Sequence, residues 1–226
     1  MRLPPATHRN VYVASERAGV RVMASLRGFI EGRLRLNVND AKSAVARPQD
    51  RHFLGFSLRV VRHGRRRVVE VLLSQRTKRN ARVRIVQLTP RTWGGTLESC
   101  IARVNVWLAG WHQFFGIASA DEQREMGRID AHIRRRLRAV VLHHWKRQRT
   151  IARRLTALGV KPRSAWCAVY AGKKSTWALS HAPAVDHGLR NAYFAARGLT
   201  SVATLHRNKR PPITAPAHPT MALEQG

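Results

Sequence analysis

The sequence predicts a mainly α fold with a small antiparallel β-hairpin region on its N-terminal side, an α+β arrangement dominated by a helical bundle. Three observations predict it. Leu97, Ile101, Val104, Leu108, Trp111 and Phe115 recur at alternating steps of four and three, and Met126, Ile129, Ile133, Leu137 and Val140 or Val141 repeat the pattern, which places each set on one helical stripe. Two β-like runs, Phe53–Leu58 and Val68–Leu73, flank a turn containing Gly64. Capping and stop residues bracket the periodic segments at the positions helices require.

The elements follow in order. Residues 1–10 are Pro-rich and polar and predict a disordered start. Val11–Val13 reads as a short β-like run. Ser15 caps a helix to about Arg33, with Val20, Met23, Ala24, Leu26, Ile30 and Leu34 near one face and Gly32 as its stop. Leu36–Asn39 alternates like a strand, and Asn39-Asp40 supplies turn chemistry. Residues 59–67 are dominated by Arg, so the hairpin tip is basic. Residues 76–91 are basic again, with Val83, Ile85 and Leu88 apolar; Pro90 and Gly94-Gly95 end the segment. Thr96 caps the clearest helix of the chain. Ser119-Ala120-Asp121-Glu122 reads as a capping box that opens the next one. A shorter helix runs from Thr150 to Leu158, stopped by Gly159 and Pro162. Ala165–Tyr170 and Leu189–Arg197 read as helical, with Gly198 as a second stop. Trp166, Trp177, Tyr193, Phe194 and both cysteines, Cys100 and Cys167, read as core. Residues 208–226 hold four prolines and read as a tail.

Charge narrows the function. The 226 residues carry 42 Lys plus Arg against 12 Asp plus Glu, a formal net charge of +30, and the excess is mostly Arg. A polyanion relieves that self-repulsion, and the guanidinium fork grips phosphate in two places. Apolar residues are 44% of the chain, enough for a core, so this is not a disordered basic tail. No apolar run reaches the length of a membrane span, and Met1–Pro5 lacks a signal-peptide core. The cysteines are far apart and form no CxxC pair, which fits a reducing cytoplasm without a disulfide framework or zinc knuckle.

The candidate binding residues are cations on defined elements. At the hairpin tip stand Arg65, Arg66 and Arg67. Beside the apolar stripe of the second long helix stand Arg134, Arg135, Arg136 and Arg138, four Arg in five residues with no acid between them. Arg134 and Arg138 are one helical turn apart. Lys146, Arg147 and Arg149 follow at its C-terminus, where cations complement the dipole; Arg153 and Arg154 lie on the next helix. The expectation is an apolar stripe against the core and an Arg ridge toward solvent, laid along a phosphate backbone. The sequence holds no P-loop, GxSxG or HExxH motif. His143 and His144 are adjacent and point to different faces, and the acids are scattered, so no catalytic residue, metal site or cofactor is expected.

Several of these residues also carry a family likeness. Leu36–Asn39 with Lys42-Ser43 and Phe53–Phe56 resembles the segment just after the polymerase active site of bacterial group II intron reverse transcriptase/maturases. Leu97…Trp107–Trp111…Phe114-Phe115, then Ile129-Asp130…Ile133–Arg138 with Trp145–Arg147, resembles the thumb, or X, region of the maturase-specific domain. Trp177, Ser180–Pro183, Asn191–Tyr193 and Gly198-Leu199 resemble the family's closing segment. In that family a Tyr-Ala-Asp-Asp strand supplies two magnesium-binding aspartates. Here Thr7 and His8 stand at those positions, with Asn10 and Tyr12 matching downstream. The resemblance therefore implies a palm remnant over residues 11–89, a maturase-specific helical thumb over 90–160, a basic helical region over 161–207 and a Pro-rich tail over 208–226. It also implies a chain that binds structured group II intron RNA and assists splicing, without polymerase activity of its own. Three alternatives stand beside it: part of a split RNA-directed DNA polymerase completed by a separate fingers/palm chain, a decayed remnant, and a generic DNA-compacting protein.

Overall fold

The computed structural model describes residues 11–40, 43–47, 50, 52–64, 66–171 and 175–209. The expected disordered start, Thr7 and His8, the tip residue Arg65 and the Pro-rich stretch from 210 onward lie outside the described residues. The chain divides into two compact units, Met1–Val69 and Glu70–Gly226.

In the first unit, α1 (Glu16–Gly28) begins as expected. The Ser15 hydroxyl accepts from the Ala18 amide at 3.3 Å. The helix runs on through a π-turn, Phe29–Arg33. Its apolar face is not covered: Val20, Leu26, Phe29 and Leu34 are exposed, and Gly19 is the buried residue, lying against Val45 and Val13. Val11–Val13 and Leu36–Asn39 are not strands. An isolated alternating run gains nothing from extension unless a neighbour completes its ladder. The segment read as one strand over residues 53–58 is folded in two. β1 (His52–Phe53) turns through Leu54 (φ 51°) and Gly55 (φ 85°) into antiparallel β2 (Phe56–His63), with Phe53 opposite Phe56. Two successive left-handed residues are the signature of a tight hairpin turn. β3 (Arg66–Leu73) follows, giving the order β1-β2-β3, so the strands extend into the Arg run.

The second unit is helical. α2 (Gln75–Leu88), α3 (Leu97–Phe115), α4 (Gln123–Trp145) and α5 (Gln148–Ala157) are followed by α6 (Pro162–Tyr170), α7 (Thr176–Leu179), α8 (Pro183–Gly188), α9 (Asn191–Ala195) and α10 (Val202–Asn208). α2, which the sequence placed with the palm remnant, packs on α3 and α4. α4, 23 residues long, is the axis of the bundle. Ile129, Ile133, Leu137 and Val140 meet Leu97, Ile101, Val104 and Leu108 of α3 and Ala81, Ile85 and Leu88 of α2 in one core, in which each large side chain contributes about 1.5–3 kcal/mol. From Arg136 to Leu142 every residue of α4 is buried, so over those two turns the helix is covered on every side. Gly159 (φ 88°) and Gly198 (φ 82°) stop α5 and α9 in the left-handed conformation. There Val160 and Leu199 donate back to Leu155 and Phe194 at 3.1 and 3.0 Å.

Three local expectations are corrected by tertiary contacts. Ser119 does not cap α4; it pairs with β3 instead, its amide donating to the Val71 carbonyl at 2.7 Å and its hydroxyl accepting from the Val71 amide at 2.8 Å. Glu122 is likewise drawn away, buried against Lys78 at 3.0 Å. Cys167 is exposed while Cys100 is buried, and burial pushes the Cys100 thiol up to about 11. Phe194 is core and Tyr193 and Trp177 are half-buried, but Trp166 is 37% exposed and stacks on exposed Tyr170 at 5.5 Å and 12°.

α10 is docked by residues the sequence did not single out for it. Asp130 of α4 is buried and accepts from the Ser201 hydroxyl (2.6 Å), the Val202 amide (2.9 Å) and the Ala203 amide (3.1 Å). Asn105 of α3 brackets the approach, donating to the Gly198 carbonyl at 2.7 Å and accepting from the Thr200 amide at 3.0 Å.

Candidate nucleic-acid interface

The Arg ridge of α4 is divided by the bundle. Successive residues on a helix are rotated by about 100°, so Arg134, Arg135, Arg136 and Arg138 cannot share one face. Arg135 is exposed. Arg136 is only 5% exposed: its guanidinium donates to the Thr89 hydroxyl (3.1 Å), the Thr89 carbonyl and the Val86 carbonyl (3.4 Å), and lies 5.4 Å from the Trp177 ring centroid. Arg138 is 8% exposed, donating to the Leu189 carbonyl at 3.0 Å and paired with Asp186. Burial pulls both side chains below the ordinary Arg pKa; Arg91 adds to this at Arg136, and Asp186 opposes it at Arg138. The expectation that Arg136 and Arg138 face solvent is therefore corrected. Both tie α4 to backbone carbonyls of its neighbours, because α4 is buried all round between Arg136 and Leu142. Arg134 is half-buried, its Nε shielded from water and without a partner among the described residues.

The cations beyond α4 stay outward. Lys146, Arg147, Arg149 and Arg153 are exposed, and their side chains make no hydrogen bond or ion pair among the described residues. Lys146 has φ 56° and ψ −73°, and the Arg147 amide donates across it to the Trp145 carbonyl at 2.7 Å. That is the rare positive-φ form of the γ-turn, which is strained for any residue with a Cβ. It swings the chain from α4 into α5 and presents Lys146 and Arg147 at the corner. Arg149 and Arg153, one turn apart on α5, continue from it. Arg154 is also exposed, its guanidinium 5.5 Å from the Trp145 ring centroid. At the hairpin, Arg66 and Arg67 lie on β3, but their side chains, like Arg65, lie outside the described residues.

Two features are not apparent from the sequence. α2 presents exposed Arg79 and Arg82 beside α4, where His132 is half-buried with its Nε2 shielded and without a partner among the described residues. Burial, then Arg136, Arg135 and Arg82, hold the His132 imidazole below its ordinary pKa. The basic composition of residues 76–91 is visible in the sequence, but their helical register, and so their face, is not. Among the described residues no cluster of three or more His, Cys, Asp or Glu is placed to hold a metal ion, and no helix is long and apolar enough to cross a membrane.

The arrangement is that of a folded scaffold with unneutralised guanidinium and ammonium groups, suited to binding a polyanion. No curated protein matches the chain. Residues 62–158, spanning the end of β2, β3 and α2 through α5, match the family model of the group II intron, maturase-specific domain. Over that stretch the chain is similar to the group II intron maturase-specific domain, and the α4–α5 corner with its exposed cations lies within the matched residues.

Proposed function

We propose that this protein binds structured group II intron RNA and assists its splicing, holding the RNA in its reactive fold while the RNA performs the chemistry. The observation that carries this reading is the α4–α5 corner, where Lys146, Arg147, Arg149 and Arg153 stand exposed with no acid engaged to them among the described residues. Such groups displace condensed counterions from phosphates, and an A-form duplex is read through its shape, phosphates and 2′-hydroxyls. Arg135, Arg154 and the hairpin arginines Arg65, Arg66 and Arg67 add contacts to the same polyanion. The matched domain is the maturase-specific region rather than the polymerase active site.

The test is a titration of the full chain against group II intron RNA at rising salt, alongside a variant with Lys146, Arg147, Arg149 and Arg153 all changed to Gln. Affinity of the wild type is expected to fall linearly on a log–log plot. The variant slope should be shallower by about 0.7–0.9 for each phosphate that is no longer neutralised. A salt-independent affinity refutes the reading, and equal affinity for duplex DNA turns it into generic nucleic-acid compaction.

A second reading has one observation in its favour. Val20, Leu26, Phe29 and Leu34 expose an apolar face in the first unit, of a kind that a separate fingers/palm chain covers in a split polymerase. Primer extension by this chain alone is expected to give nothing. Extension only after a palm-bearing chain co-purifies with it supports this second reading.

A further inference from the structure

α2 and α4 run side by side in the same direction. Lys78, in the first turn of α2, pairs with Glu122 at the head of α4, and Arg136, midway along α4, donates to Val86 and Thr89 at the end of α2. Between these two ties lies a seam. His132 forms its floor, with an Nε2 that is shielded from water and has no partner among the described residues. The charged groups acting on it are Arg82 from α2 and Arg135 and Arg136 from α4 itself, all positive. Arg79 lies one turn before Arg82, on the rim. Arg79, Arg82 and Arg135 are exposed, and their side chains make no hydrogen bond or ion pair among the described residues. The acids of this stretch of α4 are engaged elsewhere: Glu122 by Lys78, Glu125 by Arg128 and Asp130 by α10.

A seam with exposed guanidiniums on both walls is suited to an anion. Three guanidiniums spaced along two parallel helices suit a chain of phosphates better than a single ion, since each fork takes two oxygens of one phosphate.

We propose that the α2–α4 seam is a phosphodiester-binding site, in which Arg79, Arg82 and Arg135 clasp backbone phosphates of the bound RNA above the shielded His132 ring, which feels their charge. The site is separate from the α4–α5 corner and rests on the RNA-binding reading above. It has a signature that a purely structural role lacks. In the free protein, burial and the surrounding cations keep His132 neutral down to lower pH than an ordinary imidazole. An entering phosphate reverses that field and restores the proton. Binding therefore takes up a proton, and affinity rises as pH falls from the bound toward the free pKa of His132.

The experiment measures binding of a fluorescein-labelled RNA stem–loop to the full chain between about pH 8 and pH 5.5, with the fold of each variant checked by circular dichroism. Wild-type affinity is expected to rise on acidification. His132→Gln should flatten that rise, while Arg82→Gln and Arg135→Gln, both at exposed positions, should each weaken binding roughly tenfold, one charge-assisted hydrogen bond's worth. In an isotope-labelled sample, RNA should shift the His132 ring resonances at concentrations far below those at which inorganic phosphate does. Equal potency of inorganic phosphate overturns the backbone assignment. Wild-type affinity in Arg82→Gln and Arg135→Gln, with binding still abolished when Lys146, Arg147, Arg149 and Arg153 are neutralised, sinks the seam and leaves the RNA-binding reading standing. Failure of the wild type to bind any RNA removes both.

Discussion

Arg135 and Arg136 are adjacent in sequence, and the structure expects opposite consequences from replacing them. Arg136→Met removes the donor to three acceptors, Thr89 Oγ1, Thr89 O and Val86 O, around a Thr89 that is fully buried. An orphaned buried acceptor costs about 1–3 kcal/mol, and bonds from a charged donor are each at the upper end of the usual range. Against that, Arg136 has no acid partner among the described residues, so its removal returns part of the cost of burying a cation. Met also keeps apolar contact with Trp177. The balance is a loss of about 2–3 kcal/mol, or roughly 5–10 °C in melting temperature for a unit of this size. Arg135→Gln, at an exposed position, should leave stability within about 0.5 kcal/mol and weaken RNA binding instead. Denaturant unfolding and a salt-dependent RNA titration on the same two proteins separate the effects. The reasoning fails if Arg136→Met unfolds at the wild-type midpoint while losing RNA affinity as Arg135→Gln does, because Arg136 would then touch RNA rather than tie helices together.

Three further outcomes follow from particular groups. Asp130→Ala strips two amides and a hydroxyl of their shared carboxylate, and is expected to cost about 3 kcal/mol. The loss should show first as accelerated hydrogen exchange in α10, with the core of α4 still protected. Lys146→Gly relieves the positive-φ turn and is expected to raise stability by about 1 kcal/mol, read from the unfolding midpoint, while lowering RNA affinity by one cation. His112 is buried beside His206, their rings 6.3 Å apart and edge to face. Burial, then Lys209 and His206, hold its pKa below the ordinary value. The unfolded chain thus binds the proton more readily, and stability present above about pH 6.5 is lost as pH falls toward the folded pKa. Thermal melts between about pH 7.5 and 5.5 should show a drop that His112→Gln reduces.

Much of the helical bundle was legible without coordinates. The stripe of α3 survives as a buried row through Leu108, and that of α4 as its core face, because a period of three and four needs no knowledge of the partner. Gly159 and Gly198 stop helices where they were expected to, since a left-handed residue closes a helix by local geometry alone. The errors fall where a residue had two possible partners and the nearer in sequence did not prevail. Ser119 pairs with Val71, 48 positions away, rather than with the helix it precedes, and Asp130 serves α10 across 72 positions. Val11–Val13 and Leu36–Asn39 fail as strands because a strand exists only with a neighbour.

By itself the sequence determined the charge and the periods of the two longest helices, and hence a basic helical protein suited to a polyanion. Which of its arginines meet that polyanion was decided only in three dimensions. The apolar stripe orients a helix toward its core, but the remaining faces of α4 are assigned by α2, α7 and α8. Those elements claim Arg136 and Arg138 for carbonyls, an aromatic ring and an acid distant in sequence, and leave Arg135 to the solvent. A guanidinium goes wherever unsatisfied acceptors are, and in a folded chain those are placed by packing, not by sequence neighbours.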